Sequence, residues 1–514
     1  MKLKTTAVLA LSGVLLSAAA AFAIPVGKPV LSDKPTSGDS PGWRDPSSST
    51  SARMSAGDTL VVDARLGHAS IARSSGGETY LFAQVSARDE SLAGDKVGAS
   101  SAVPMNLGIV IDRSGSMKGD RIANAMNAAV AAVERMRDGD SVTVVSFDTR
   151  ADVVVPPTRV GADTRSSIEA AIRSIRLGGD TCISCGLEEG MKQLAFTSLG
   201  GDRINRMILL SDGATNAGIR DMTGLRSMAG RMHERGVSIS TIGVDVDFDE
   251  KIMAAIASEA NGRHYFVANA SGLPAVFSQE FDDLLASVAK EAELTIELAP
   301  GVEAKELFDR SFRREGNKIV VPFGTFSAKQ AKTVLLKLSV PTDREGTEPV
   351  ADVKLTYRDV VKRTDAESKG SLALDVRGDG GEQKELDPFV AARIERSRTA
   401  STLTEANRLF ESGRAGEARA RLATRKAELA KTETSALAFA AKTPTEAPRG
   451  AAKGLDRDFE EQLGAVAQAE RNFAPPPPRA SGPAAAAPLA TSPSSREGKA
   501  SVRSNQQTAS EFGF

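Results

Sequence analysis

Apolar positions change rhythm several times along the chain, and each change marks a candidate boundary. Between residues 58 and 88, two runs, TLVVDARLGHASIA and ETYLFAQVSAR, read as strands separated by the turn residues Ser74-Ser75-Gly76-Gly77. Two strands alone are marginally stable, so this segment must find partners further along.

Over residues 104–289 the pattern becomes one of alternating strands and helices. Continuous apolar runs at 105–111, 142–147, 207–210 and 238–244 predict buried strands of a mostly parallel sheet. Helical spacing connects Ile122, Met126, Val130 and Val133, then Ile168, Ala171, Ile172 and Ile175, then Leu187, Met191 and Leu194, and finally Phe277, Phe281, Leu284, Leu285 and Val288. The fold class predicted is α/β, a doubly wound and mostly parallel sheet whose ligands bind outside the carboxyl ends of its strands.

Short strands return over 293–376 and predict an antiparallel β-sandwich. The strands of 58–88 are expected to pack with it, which makes the α/β unit an insertion between two parts of one sandwich. Residues 385–472 read as helical, with Phe389, Val390 and Ile394, then Leu403, Ala406, Leu409 and Phe410, on one face. Gly413 breaks the run, so a helical hairpin is expected. Composition assigns 24–57 and the Pro/Ala/Ser-rich tail 473–514 to disorder, with Phe512-Gly513-Phe514 read as chance composition.

The first residues read as an address. Lys2 and Lys4 precede an apolar stretch over 7–20, and Ala21-Phe22-Ala23 supplies the small residues of a cleavage site, so residues 1–23 are expected to be a signal peptide cut between Ala23 and Ile24. The apolar stretch falls short of the roughly 20 residues of a membrane span, so the mature chain is expected to carry no transmembrane segment. The localisation expected is exported, periplasmic or extracellular.

Composition narrows the chemistry. Lys+Arg number 65 and Asp+Glu 66, a formal net charge of −1, so no basic field exists to gather nucleic acid. Two cysteines and three histidines leave little for zinc, haem or iron–sulfur clusters, so a metal site here must use oxygen ligands.

Such ligands stand at predicted strand ends. In GIVIDRSGSMKGDRI, Asp112, Ser114 and Ser116 share a turn that Gly115 is expected to let curve tightly. Asp212, in RMILLSDGATNAG, holds the same position on another strand. Thr181, in LGGDTCISCGLEEG, opens a helix and adds a hydroxyl. Two carboxylates and several hydroxyls suit a hard divalent cation, magnesium first, with manganese or calcium as alternatives.

The Asp-x-Ser-x-Ser run at 112–116, the threonine after a Gly-Gly pair and the Ser-Asp-Gly after an apolar strand resemble the metal-ion-dependent adhesion site of von Willebrand factor type A domains. The resemblance spans about residues 104–289. It implies that Asp112, Ser114, Ser116, Thr181 and Asp212 hold the cation directly or through water, leaving a coordination position for an Asp or Glu of a partner protein. The flanking regions resemble exported bacterial members related to inter-alpha-trypsin-inhibitor heavy chains and the calcium-activated chloride channel group. The expectation is an exported, metal-dependent protein-binding module and not an enzyme. The alternatives are an assembly scaffold of the cell envelope with a structural metal site, or a redox or hydrolytic enzyme.

Two further motifs flank this set. Cys182 and Cys185 directly follow Thr181, and in an exported chain a local disulfide is the first expectation, with free thiols or redox chemistry left open. Asp245, Asp247 and Asp249 imitate the start of a calcium loop, but Glu250 and Ile256 stand where its glycine and closing glutamate belong, so a solvated loop is expected.

Overall fold

The computed structural model describes residues 51–88, 103–197, 203–246, 248–308, 310–378, 385–442, 451–474 and 492–513. The expected leader with its cleavage point between Ala23 and Ile24, the linker up to residue 50 and residues 475–491 of the tail lie outside them.

The chain opens with four strands, β1 (Arg53–Gly57), β2 (Leu60–Leu66), β3 (Ser70–Ala72) and β4 (Glu78–Ala87). An α/β unit follows: β5 (Met105–Asp112), α1 (Asp120–Arg135), β6 (Ser141–Phe147), β7 (Ala151–Arg159), α2 (Arg165–Arg173), α3 (Ile183–Ala195), β8 (Ile204–Ser211), α4 (Met222–Glu234), β9 (Val237–Val244), α5 (Glu250–Glu259), β10 (Asn261–Val267) and α6 (Leu273–Leu285). Its sheet runs β10-β9-β8-β5-β6-β7, parallel throughout except for β7.

Alternation along β5 divides the core. Ile109 and Ile111 belong to the cluster built with α1, α2 and α6, whereas Val110 faces the opposite cluster with α3, α4 and α5. All three are fully buried, and each such side chain contributes roughly 1.5–3 kcal/mol relative to exposure. Two glycines set α3 close to this sheet: a Cβ on Gly186 would lie 2.7 Å from the Phe147 ring, and one on Gly190 2.8 Å from Val110. Glycine in a helix costs about 1 kcal/mol, and here it brings the start of α3 against β5 and β6.

The remaining strands are β11 (Ser287–Leu298), β12 (Glu303–Phe308), β13 (Arg313–Glu315), β14 (Lys318–Ser327), β15 (Ala331–Ser339), β16 (Gly346–Asp359) and β17 (Thr364–Arg377). They form two further sheets, β1-β2-β4-β15-β12 and β13-β14-β11-β16-β17-β3. β4 pairs with β15 from Glu78 opposite Ser339 to Ser86 opposite Ala331, and β3 runs parallel to β17. Strands from before and after the α/β unit are thus neighbours in both sheets, and the α/β fold is inserted into this pair of sheets, antiparallel except for β3 against β17.

Four helices end the described chain: α7 (Pro388–Glu411), α8 (Ala415–Lys442), α9 (Ala451–Asn472) and α10 (Arg496–Gly513). Among the described helices none is long and apolar enough to cross a membrane.

The structure corrects several boundaries. β1 lies inside the segment 24–57 expected to be disordered: it pairs with β2, Arg53 Nη2 bonds Asp63 Oδ2 at 2.6 Å, and Gly370 leaves room for Met54. An edge strand needs backbone pairing more than apolar side chains, so composition conceals it. β11 begins at Ser287, before the expected end of the α/β unit at 289. The expected hairpin is part of a four-helix assembly.

The tail 473–514 contains α10, which is a helix and not disordered over 496–513. Val502, Ala509 and Phe512 form one narrow apolar stripe and are buried with α7 and α9. Asn505 Nδ2 donates to Asn407 Oδ1, and Asn407 Nδ2 donates to Val502 O. Phe512, expected to be incidental, is buried and carries Arg396 over its ring at 4.5 Å.

The helical unit is pinned by a buried ion pair. Arg425, 1% exposed, donates from Nη2 to Glu395 Oε2 at 2.6 Å and to Glu395 O at 2.7 Å, joining α8 to α7. Replacing only one partner of such a pair is costly, because the other charge stays buried. Arg425→Met is expected to lower the unfolding free energy by about 3 kcal/mol, and Arg425→Met with Glu395→Leu by much less. Chemical denaturation followed by circular dichroism measures both, and equal losses in the two variants would contradict the account.

Candidate metal centre

Strand order reverses at β5, which lies between β6 and β8, so the crevice beyond the carboxyl ends of β5 and β8 is the place a doubly wound fold reserves for ligands. Eight consecutive buried residues carry β5 to its last position, Asp112, which is 0% exposed. Asp112 Oδ1 accepts from the Ser114 N–H at 2.8 Å and Oδ2 from the Ser211 hydroxyl at 2.5 Å. The turn that follows is anchored by buried Met117 and by the Gly115 N–H, which donates to Gly179 O at 3.1 Å.

Gly115 is not what lets the turn curve, since its φ is not among the left-handed ones and a Cβ there would meet nothing within 4 Å. The glycine this loop requires is Gly119, whose φ of 82° lies in the left-handed region immediately before α1.

Ser114 and Ser116 hydroxyls lie 3.0 Å apart, and Ser116 donates to Asp212 Oδ1 at 2.7 Å. Asp212 is 1% exposed just beyond β8, whereas Ser116 is exposed, so the cluster is buried on one side and open on the other. Thr181 joins from the third loop: a Cβ on Gly213 would stand 3.5 Å from Ser116 Oγ and 3.6 Å from Thr181 Oγ1. All five residues singled out in the sequence therefore converge on the carboxyl ends of β5 and β8.

The Thr181 loop is held from both sides. Its N–H donates to Asn216 Oδ1 at 2.7 Å, and its carbonyl accepts from the N–H groups of Asn216 and Ala217. Cys182 and Cys185 form a disulfide at the start of α3, and Cys182 is fully buried. A Cβ on Gly218 would collide with Ser184 Oγ and Cys182 Sγ, so the disulfide packs directly against the 212–219 loop.

Burial raises the Asp112 carboxyl to about 6, and the bonds from Ser211 and Ser114 only partly offset it. Asp212 meets a cation of the chain itself. Arg121, in the first turn of α1, donates from Nη1 to Asp212 Oδ2 at 2.7 Å and to Ser116 O at 2.8 Å, while its Nη2 bonds Asp245 Oδ2. Burial also opposes ionisation of Asp245, but the Val246 N–H, Arg121 and Arg496 outweigh it and hold the carboxyl below its usual range.

Asp245 is not in a solvated loop, as its sequence setting suggested. It is 5% exposed, adopts a φ of 67° and sits at the carboxyl end of β9. Asp249 caps α5 by accepting from the Ile252 N–H, and Asp247 lies outside the described residues. Arg121 and Asp245 are the site residues that the motif reading missed. The signal for Asp245 was its place one residue beyond an apolar strand, the same place as Asp212.

Two buried carboxylates, three hydroxyls and an open side form a hard, all-oxygen donor set that fits magnesium, manganese or calcium. Among the described residues no three His, Cys, Asp or Glu side chains gather into a metal-ligating group, so the hydroxyls are essential to any such site.

Known proteins show the same architecture. Residues 106–279 match the model of the von Willebrand factor type A domain. The chain is 28% identical over 271 residues to the protein YfbK of Escherichia coli, covering 50% of this chain and 46% of that one. It is 26% identical over 169 residues to inter-alpha-trypsin inhibitor heavy chain H2 of Mus musculus, covering 31% and 17%. The matched part therefore spans less than half of either relative. Among solved structures, a von Willebrand factor type A protein from Catenulispora acidiphila superposes with a TM-score of 0.60 at 16% identity, over 79% of this chain and 89% of that one. The ArnB paralog VWA2 from Sulfolobus acidocaldarius superposes at 0.53 and 17% identity, over 89% and 100%. Residues 106–279 are thus a von Willebrand factor type A domain.

Proposed function

We propose that this protein is an exported, metal-dependent protein-binding module. The observation that carries the reading is the convergence of Asp112, Ser114, Ser116, Thr181 and Asp212 on one partly open cluster at the strand ends. Von Willebrand factor type A domains mediate protein–protein binding, which supports recognition in preference to turnover. A divalent cation, magnesium foremost, would supply a Lewis-acidic position able to take an Asp or Glu side chain of a partner.

The protein's own side chains do the rest. Asp112, stabilised by the Ser211 hydroxyl and the Ser114 N–H, offers charge that burial makes costly to keep uncompensated. Ser116, exposed at the rim, and Thr181, fixed by Asn216, frame the side from which a partner approaches. The disulfide between Cys182 and Cys185 supports export to an oxidising compartment, in agreement with the leader-like first residues.

Calorimetric titration tests the metal assignment. Mg²⁺ or Mn²⁺ is expected to bind the purified protein at one site, and Asp112→Ala or Asp212→Ala to weaken it by at least about tenfold, the scale on which metal-site changes act. Equal binding by all three proteins would contradict the assignment. Capture of an acidic partner from the exported fraction is expected with Mg²⁺ and not with chelator. Capture that ignores chelator would favour a scaffold with a structural metal site.

The disulfide supplies a second test. Reduction under mild conditions, verified by thiol labelling, is expected to weaken Mn²⁺ binding by several-fold through the Thr181 loop. Unchanged affinity after complete reduction would show that the loop is held without it.

A further inference from the structure

Four charged side chains of alternating sign lead from the candidate metal site to the last helix. Asp212 is bound by Arg121, Arg121 by Asp245, and Asp245 by Arg496, the first residue of α10, whose Nη1 lies 3.0 Å from Asp245 Oδ1. Asp245 belongs to both neighbours at once: Oδ2 takes Arg121, Arg496 Nη1 reaches Oδ1 at 3.0 Å and Oδ2 at 3.3 Å, and the Val246 N–H donates to Oδ1 at 2.8 Å. Its left-handed backbone, rare outside glycine, is a local strain that the surrounding bonds hold in place.

The rest of α10 is fastened along the same edge of the domain. Arg503 donates to Glu250 Oε2 at 3.0 Å and to Phe248 O at 3.1 Å, Gln507 Oε1 accepts from the Phe266 N–H at 3.1 Å, and Arg496 Nη2 reaches Ala268 O at 3.2 Å. These contacts, with the apolar stripe against α7, make α10 a clamp whose N-terminal end stands one residue away from the metal site's own arginine.

We propose that docking of α10 and loading of the metal site oppose each other, with Arg121 and Asp245 as the coupling element. The inference rests on the metal assignment above. A dication held by Asp112 and Asp212 would engage the carboxylate that Arg121 now binds and would set two positive charges beside its guanidinium. Arg121 keeps Asp245 as its remaining acidic partner. A planar guanidinium binds a carboxylate best through both oxygens, so Arg121 turned fully onto Asp245 competes with Arg496 for both of them. The field of the cation acts in the same direction, since it disfavours Arg496 as well. Linkage makes the effect reciprocal: the docked helix lowers metal affinity by the same factor by which the metal loosens the helix.

The test uses the full chain, with Mn²⁺ as probe. Calorimetry gives Mn²⁺ affinity, and hydrogen exchange reports the protection of residues 496–513 with and without Mn²⁺. In the unmodified protein Mn²⁺ is expected to accelerate exchange across α10 by several-fold. Arg496→Ala, a change at a side chain that is 60% exposed, is expected to tighten Mn²⁺ binding by roughly three- to tenfold, within the range of coupling between linked sites. In an Arg121→Ala background the same change is expected to have a clearly smaller effect, because only the direct repulsion between the cation and Arg496 is left to relieve.

Mn²⁺ binding that Asp112→Ala abolishes, with α10 exchange and Arg496→Ala affinity unchanged, would overturn the coupling and leave the metal site standing. Weaker Mn²⁺ binding by Arg496→Ala would overturn its sign. Absence of Mn²⁺ binding in the unmodified protein would overturn both readings.

Discussion

Two carboxylates buried side by side at the ends of adjacent parallel strands are the constraint on which the rest of this site depends. Asp112 and Asp212 are 0% and 1% exposed, and a desolvated negative charge is tolerable only where donors or cations answer it. The chain supplies the Ser211 and Ser116 hydroxyls, the Ser114 N–H and the Arg121 guanidinium. A hard dication would answer the same charge more completely. The fold around these groups is arranged to keep them in place: α3 is pressed onto β5 and β6 through Gly186 and Gly190, and its first turn is closed by the disulfide.

The sandwich and the helices extend this constraint outward. Because the α/β unit is inserted, both of its ends are tied into sheets formed by strands from distant parts of the chain, with β4 against β15 over nine residue pairs. The helical unit returns to the domain through α10, whose arginines meet Asp245 and Glu250 at the edge carrying β9 and α5. Burial lifts the Glu250 carboxyl to about 8 against the pull of Arg503, so its charged form is costly at this contact.

Much of the α/β fold was legible, because continuous apolar strands and helical spacing are strong signals. β5 reads as eight buried residues ending in an aspartate, and the strand-end rule then locates Asp112 and Asp212 without further information. Arg121 was not legible, since an arginine in the first turn of a helix is ordinarily solvated. Asp245 was hidden by two neighbouring aspartates that suggested a loop. Its place one residue beyond an apolar strand was a signal, and the parallel register, with Ser211 opposite Gly243, brings it near Asp212. α10 escaped notice because a few apolar residues in a mostly polar stretch make a stripe only once the helix is already in place.

The most direct measurement is a crystal structure of the protein soaked in Mn²⁺, read by anomalous scattering. The account predicts one peak among Asp112, Ser114, Ser116, Thr181 and Asp212, with the Arg121 guanidinium turned from Asp212 toward Asp245. A saturated crystal with no peak there, and Arg121 still bridging Asp212 and Asp245, would contradict it.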